Sequence, residues 1–269
     1  MTATILRATT GDGAPVQALD EGRGPALLVV HPGSSDATSW EGVARLLTDE
    51  FRVVRVQRRL YEPDATIESP HSMASDAADV LAIAGLLARP LLVGHSSGAV
   101  AALEAALASP ASFAALALYE PPLPTTSPVA GEAGRQARAA LDAGDPVAAM
   151  EIHLRDVVGM PQAAVTTMLA MPEARAYFAR VAAAQIADNE ALDALGVGVE
   201  RYAALGLPTL LIEGGDSPAH LRERLSDLAA VLPNVVRVVT LAGQGHTAHL
   251  AAPDLLADAI RSFAGQVLS

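Results

Sequence analysis

The pentapeptide Gly94-His95-Ser96-Ser97-Gly98 constrains the fold most, because it stands between a short apolar run and an alanine-rich stretch. Residues 90–93 have the character of a buried strand, and residues 98–107 that of a helix. Glycines two positions either side of the serine remove Cβ atoms that would collide in a sharp strand-to-helix turn. Such a turn exposes the hydroxyl beside a helix N-terminus, where developing negative charge is stabilised. The pattern predicts Ser96 as a nucleophile.

Composition limits the other function classes. The 269 residues are 51% hydrophobic and 18% charged, which suits one large α/β domain or a core with an insertion. The net charge of −12 argues against nucleic acid or an anionic membrane as partner. The absence of cysteine excludes disulfides, thiolate metal sites and cysteine nucleophiles. Residues 1–10 lack the basic start and apolar run of a signal peptide, and we expect a cytoplasmic protein with a small-molecule partner.

Hydrophobic periodicity divides the chain into three regions. Strands and helices alternate before residue 121, and alternate again from residue 208 onward. Between them, residues 125–205 show helical patterns and no convincing strand. This order predicts a mostly parallel sheet with helices on both faces. We assign the core to residues 1–121 and 206–269, and an inserted helical cap to residues 122–205. Ser75 or Asp76 is the predicted cap of the helix that precedes the pentapeptide.

A serine hydroxyl needs a base to remove its proton during attack. His246 closes the run Gly243-Gln244-Gly245-His246 just after the last predicted strand, where a loop can reach back over the serine. His249 is the competitor and is expected to be structural. We expect His153 and His220 to be surface residues on helices. Arg58 and Arg59 follow a strand end and read as a solvated basic pair, with carboxylate binding as the alternative.

Together, the pentapeptide, the glycine-rich run before His246 and the segment from His31 to Trp40 resemble the α/β-hydrolase superfamily. The likeness is to its capped, cofactor-free branch of esterases, lactonases, epoxide hydrolases and haloalkane dehalogenases. It implies an α/β-hydrolase fold with an eight-stranded, mostly parallel sheet, a Ser–acid–His triad, and neither cofactor nor metal. His31-Pro32-Gly33 takes the place of the family's oxyanion loop, with proline in place of the usual glycine. The implied oxyanion donors are the backbone N–H groups of Gly33 (or Ser34) and Ser97.

Two residues compete as the triad acid. The family's usual position, after the strand at residues 208–213, holds Ser217 here, and Asp216 lies one residue early. Glu120 ends the strand after the nucleophile helix, where dehalogenase-like members carry their acid. A carboxylate at that edge of the sheet is well placed beside the nucleophile strand. Glu120 is preferred over Asp216.

A serine nucleophile indicates an acyl-enzyme, and hence an ester, lactone or thioester substrate of mainly apolar character. Halide displacement and epoxide opening are disfavoured because those reactions use an aspartate nucleophile. The same triad supports cofactor-free lyases and perhydrolases, and a non-catalytic small-molecule receptor is the alternative outside enzymes. Candidate substrate contacts are Ser34, Met150 and Met168. We expect a monomer or homodimer.

Overall fold

The computed structural model describes residues 3–63, 65 and 70–268, and its framework is one eight-stranded sheet. The strands follow the order β1-β2-β4-β3-β5-β6-β7-β8. Strand β2 pairs antiparallel with β1 and β4, and all the pairs from β4 to β8 are parallel. The strand bounds are β1 Thr4–Thr9, β2 Pro15–Gly22, β3 Ala26–Val30, β4 Arg52–Gln57, β5 Leu91–His95, β6 Ala115–Tyr119, β7 Thr209–Gly214 and β8 Val235–Leu241.

The central strands are apolar throughout because both of their faces are covered. In β3, Leu28 and Val30 pack into a core under helices α2, α3 and α8, while Leu27 and Val29 pack into a second core under α1 and α10. Strands buried on both faces have the continuous apolar runs that the sequence shows. The helices of the two layers are α1 Glu41–Leu47, α2 Met73–Ala84, α3 Ser97–Ala108, α8 Ala219–Val231, α9 Ala248–Ala251 and α10 Pro253–Val267.

The chain between β6 and β7 is helical. It contains α4 Gly131–Asp142, α5 Pro146–Ile152, α6 Gln162–Leu169 and α7 Pro172–Asp193. A π-helical turn, His153–Val157, continues α5, so the helical winding changes after Ile152. Helix α7 contacts α2, α3 and the 3₁₀ turn Arg59–Tyr61, and therefore lies against the sheet layer near the end of β5. No helix among the described residues is long and apolar enough to span a bilayer.

The cap of α2 differs from the prediction. Ser72, and neither Ser75 nor Asp76, occupies the position before the helix, and its Oγ accepts a hydrogen bond from the Ser75 N–H at 3.2 Å. Asp76 is instead a buried residue of the first turn. Its carboxylate is committed to Arg58 and is therefore not available to cap the helix.

Candidate active site

Ser96 sits at the corner between β5 and α3. Its backbone has φ 54° and ψ −131°, a left-handed φ that costs a non-glycine residue on the order of 1–3 kcal/mol. The strain is held in place by two hydrogen bonds, from Ser96 N–H to the Tyr119 carbonyl at 2.9 Å and from Ala99 N–H to the Ser96 carbonyl at 2.8 Å. The corner therefore presents the serine at the carboxyl edge of the sheet.

The two glycines around Ser96 are required by space. A Cβ at Gly94 would lie 2.4 Å from the Ala99 Cα, and one at Gly98 would lie 2.3 Å from the His31 carbonyl oxygen. Both obstacles are backbone atoms, which cannot rotate away. This close approach explains the G-x-S-x-G spacing as a packing requirement between β5, α3 and the end of β3.

His246 and Glu120 are brought together across 126 residues of chain. His246 Nδ1 lies 2.5 Å from Glu120 Oε2, and the fully buried Glu120 accepts a second hydrogen bond at Oε1 from the Gly214 N–H, at 2.7 Å. Asp216 is exposed and makes its hydrogen bond through its backbone, to the Gln244 carbonyl. Among the described residues, Glu120 is the carboxylate within hydrogen-bonding distance of the His246 ring.

Aromatic residues anchor the loop that carries His246. His95 Nε2–H donates to the His246 carbonyl at 2.9 Å, and the Tyr119 hydroxyl donates to the Gly245 carbonyl. The His95 and Tyr119 rings stack with centroids 4.5 Å apart. Burial lowers the pKa of His95 well below its usual value, so the ring is neutral and its N–H donor is retained. His249, the competing base, is buried beside Trp40 with no carboxylate partner among the described side chains.

One cavity of about 430 Å³ holds both Ser96 and His246. Gly33, Ser34, Ser97 and Met168 also line it, whereas Met150 is fully buried among the packed side chains of the helical segment. Much of the wall is apolar and comes from Pro122, Val129, Leu154, Val157, Val158, Met160, Met168, Phe178 and Leu192. Pocket size and lining suit a small ligand of mainly apolar character.

Gly33 lies in the loop after β3, which ends at Val30, and Ser97 is the first residue of α3; both line the cavity with Ser96. His31 holds the loop after β3 in place. Its ring Nδ1–H donates to the Pro32 carbonyl at 2.8 Å, and its Nε2 accepts a hydrogen bond from the Arg58 backbone N–H at 3.1 Å. A Cβ at Gly33 would lie 2.5 Å from Gln185 Oε1 and 2.9 Å from the Tyr61 hydroxyl, so a larger residue there would require these side chains to move. The two predicted oxyanion donors, Gly33 and Ser97, thus line the same cavity as Ser96.

Arg58 is buried, and the expectation of a solvated basic pair is wrong for it. Its side chain is 1% exposed and forms ion pairs with Asp76 at 2.5 Å and Asp188 at 2.7 Å. The Ser97 Oγ accepts from Arg58 Nη1 at 2.8 Å and donates to Asp188 Oδ2 at 2.6 Å. A buried guanidinium requires such charged partners, and adjacent basic residues in a sequence do not reveal them. Arg59, by contrast, is partly exposed and pairs with Asp79.

The described residues contain one cluster of side chains that could hold a metal ion. His71, Asp76 and Asp188 bring ligand atoms within 4.8 Å of one another. Arg58 pairs with both carboxylates. Because the Arg58 guanidinium already supplies the positive charge that a cation would bring, we interpret the cluster as an ion-pair network.

His153 is also buried, against the expectation of a surface position. It lies in the π-helical turn and forms a hydrogen bond with Asn189 of α7. His220 is partly buried at the cavity. The buried residues Ala149 and Met150 are followed four positions later by His153 and Leu154, so ordinary helical spacing already places His153 on the inward face.

A family model described as the alpha/beta hydrolase family matches residues 27–259. The chain belongs to the alpha/beta hydrolase family. This confirms the resemblance seen in the motifs, the fold class, and the prediction that the chain is a hydrolase.

Comparisons with individual proteins give sequence identities between 24% and 35%. A fluoroacetate dehalogenase from Burkholderia sp. is 35% identical over 107 residues, which is 37% of this hydrolase and 35% of that enzyme, so the match spans about a third of the relative's length. An alpha/beta hydrolase from Sphaerobacter thermophilus is 28% identical with a TM-score of 0.83, covering 96% of this chain and 99% of that one. A thermophilic esterase from Thermogutta terrifontis is 24% identical with a TM-score of 0.75, covering 99% and 100%.

Proposed function

We propose that this hydrolase cleaves small, mainly apolar carboxylic esters, lactones or thioesters through an acyl-enzyme on Ser96. The observation that carries the proposal is the pairing of His246 Nδ1 with buried Glu120 on a cavity that also contains Ser96. A carboxylate at Nδ1 holds the ring proton there and leaves Nε2 free to accept a proton. Glu120 is therefore the proposed acid, in preference to the exposed Asp216.

In the acylation step, Ser96 Oγ attacks the substrate carbonyl carbon while its proton passes to His246 Nε2. The oxyanion that forms accepts hydrogen bonds from the backbone N–H groups of Gly33 and Ser97. When the carbonyl re-forms, the bond to the leaving alcohol or thiol breaks, and that group takes the proton from His246. Water then attacks the acyl-enzyme with the same histidine as base, which releases the carboxylic acid and restores Ser96.

The helical segment at residues 122–205 is proposed as the cap that shapes the acyl pocket, since many apolar residues of the cavity wall belong to it. The matched dehalogenase suggests halide displacement as another reaction. We do not favour it, because that chemistry needs a carboxylate nucleophile, and the nucleophile position here is a serine.

Labelling with a fluorophosphonate probe, with the adduct located by mass spectrometry, tests the proposal alongside hydrolysis of short-chain aryl esters. We expect the adduct on Ser96 and loss of both signals in Ser96→Ala. Ser262→Ala, on an exposed position of α10, is the matched control and should retain both signals. Folded protein that gives no adduct and no turnover would contradict the proposal and favour a receptor. Cyanohydrin cleavage without an adduct would favour a lyase.

A further inference from the structure

Gln185, Asn189 and His153 form a polar corner in the wall of the cavity. Gln185 and Asn189 are one turn apart on α7, and His153 faces them from the π-helical turn. Their exposed fractions are 4%, 2% and 7%, and all three line the cavity. Buried polar groups are costly unless they are paired, so this corner requires an explanation of its own.

Hydrogen bonds fix the orientation of each group in the corner. Ser34 Oγ donates to Gln185 Oε1 at 2.7 Å, and Gln185 Nε2 donates to Asn189 Oδ1 at 3.0 Å. Asn189 Nδ2 is then the donor toward His153 Nδ1, at 2.9 Å. An imidazole nitrogen that accepts a hydrogen bond carries no proton, so in the neutral ring the proton of His153 is on Nε2.

Burial lowers the pKa of His153 to about 4, which keeps the ring uncharged at neutral pH. Its Nε2 has no hydrogen-bond partner among the described residues, and it is not one of the unpartnered atoms that the protein fully encloses. The residual exposure of this cavity-lining residue therefore includes a free N–H donor. A neutral donor provides no countercharge for a buried carboxylate, so an uncharged oxygen is the acceptor that suits it best.

We propose that His153 is a specificity-determining residue whose Nε2–H binds a second oxygen of the substrate, a ketone, ether or hydroxyl oxygen remote from the ester being cleaved. The preferred substrates are then oxygenated esters, and not those of plain alkyl chains. This inference rests on the proposed esterase function and deepens it. The ester group itself is served by Ser96, Gly33 and Ser97, so the oxygen bound by His153 is an additional one.

The test compares pairs of esters of matched shape. One pair is 4-nitrophenyl 4-oxopentanoate and 4-nitrophenyl 4-methylpentanoate, which probes the acyl side. The other is 2-ethoxyethyl acetate and pentyl acetate, which probes the alcohol side. The wild type should favour the oxygenated member of at least one pair in kcat/KM, after subtraction of uncatalysed hydrolysis. One neutral hydrogen bond corresponds to a preference of about three- to tenfold.

His153→Phe should abolish that preference, and His153→Gln, which keeps an N–H donor, should restore part of it. Met168→Leu is the matched control at an apolar wall position, and should change both members of a pair by similar factors. A wild type without preference in either pair, or a preference unchanged in His153→Phe, would overturn the role of His153 while leaving the esterase proposal standing. Failure of the esterase proposal itself would be seen as activity retained in Ser96→Ala.

A second readout does not depend on a folded His153 variant. In ¹³C,¹⁵N-labelled Ser96→Ala protein, the ring signals of His153 are assigned through their bonds to the backbone, because His31 and His249 also stay uncharged down to about pH 4. The His153 ring should show the neutral tautomer protonated at Nε2. Addition of the unreactive ketone 2-pentanone should shift the Nε2 signal of that ring, and 2-methylbutane should not. A proton on Nδ1, or no response to the ketone, would contradict the proposal.

Discussion

Replacement of Glu120 by glutamine separates the two candidate acids, because the structure dictates how the amide must lie. Glu120 accepts hydrogen bonds at both oxygens, from the Gly214 N–H and from His246 Nδ1. A glutamine has one acceptor, and its NH₂ cannot face the Gly214 N–H, since both are donors. The amide oxygen therefore stays on Gly214 and the NH₂ faces His246 Nδ1. The ring proton is then forced to Nε2, where it blocks acceptance of the Ser96 proton.

We expect Glu120→Gln to lower kcat by about 10³–10⁴, or about 4–5 kcal/mol of transition-state stabilisation, with KM little changed because Glu120 does not line the cavity. Asp216→Asn, at an exposed position, should stay within about twofold of the wild type. Steady-state hydrolysis of an aryl ester at pH 8 measures both, with circular dichroism to verify folding. Near-normal activity in Glu120→Gln, or a loss of 10³ in Asp216→Asn, would refute the reasoning.

The remaining predictions concern stability. Ser97→Ala removes one partner each from buried Arg58 and Asp188, and should lower the free energy of unfolding by about 1–3 kcal/mol in urea titrations, against a few tenths for Ser262→Ala. Burial lowers the pKa of His31, His153 and His249 to about 4 and that of His95 well below its usual value, so unfolding takes up protons as pH falls below 6.5, and stability falls as pH falls. Asp79, whose pKa burial raises to about 6, releases one proton on unfolding, which leaves a net uptake of roughly three protons and a slope of about 4 kcal/mol per pH unit near pH 5. A melting temperature unchanged between pH 7 and 5 would contradict this.

The fold could be predicted from local pattern, because the decisive motif lies within one short stretch of the sequence. The apolar run before Gly94, the glycine spacing and the alanine-rich helix all belong to about 20 residues, and each limits the backbone directly. Strand–helix alternation then leaves few topologies.

The site depends on contacts that sequence spacing does not encode. Pairing of His246 with Glu120 spans 126 residues, and Asp216 differs from Glu120 only in where the loops carry the two side chains. The sequence suggests a solvated Arg58 because its ion-pair partner Asp188 lies 130 residues later in the chain. The surface position expected for His153 is wrong because its side chain pairs with Asn189, 36 residues later, on the buried face that it shares with Met150.

Helix α7 serves two tasks with residues one turn apart or closer. Asp188 is bonded to Ser97 beside the reacting serine, while Gln185 and Asn189 form the polar corner of the cavity. A substitution on this helix that changes the substrate range is therefore expected to change the reaction rate as well. Directed evolution that randomises residues 185–189 to change substrate preference should yield mostly inactive variants unless Asp188 is held fixed, whereas diversity placed on α6 leaves this shared element untouched.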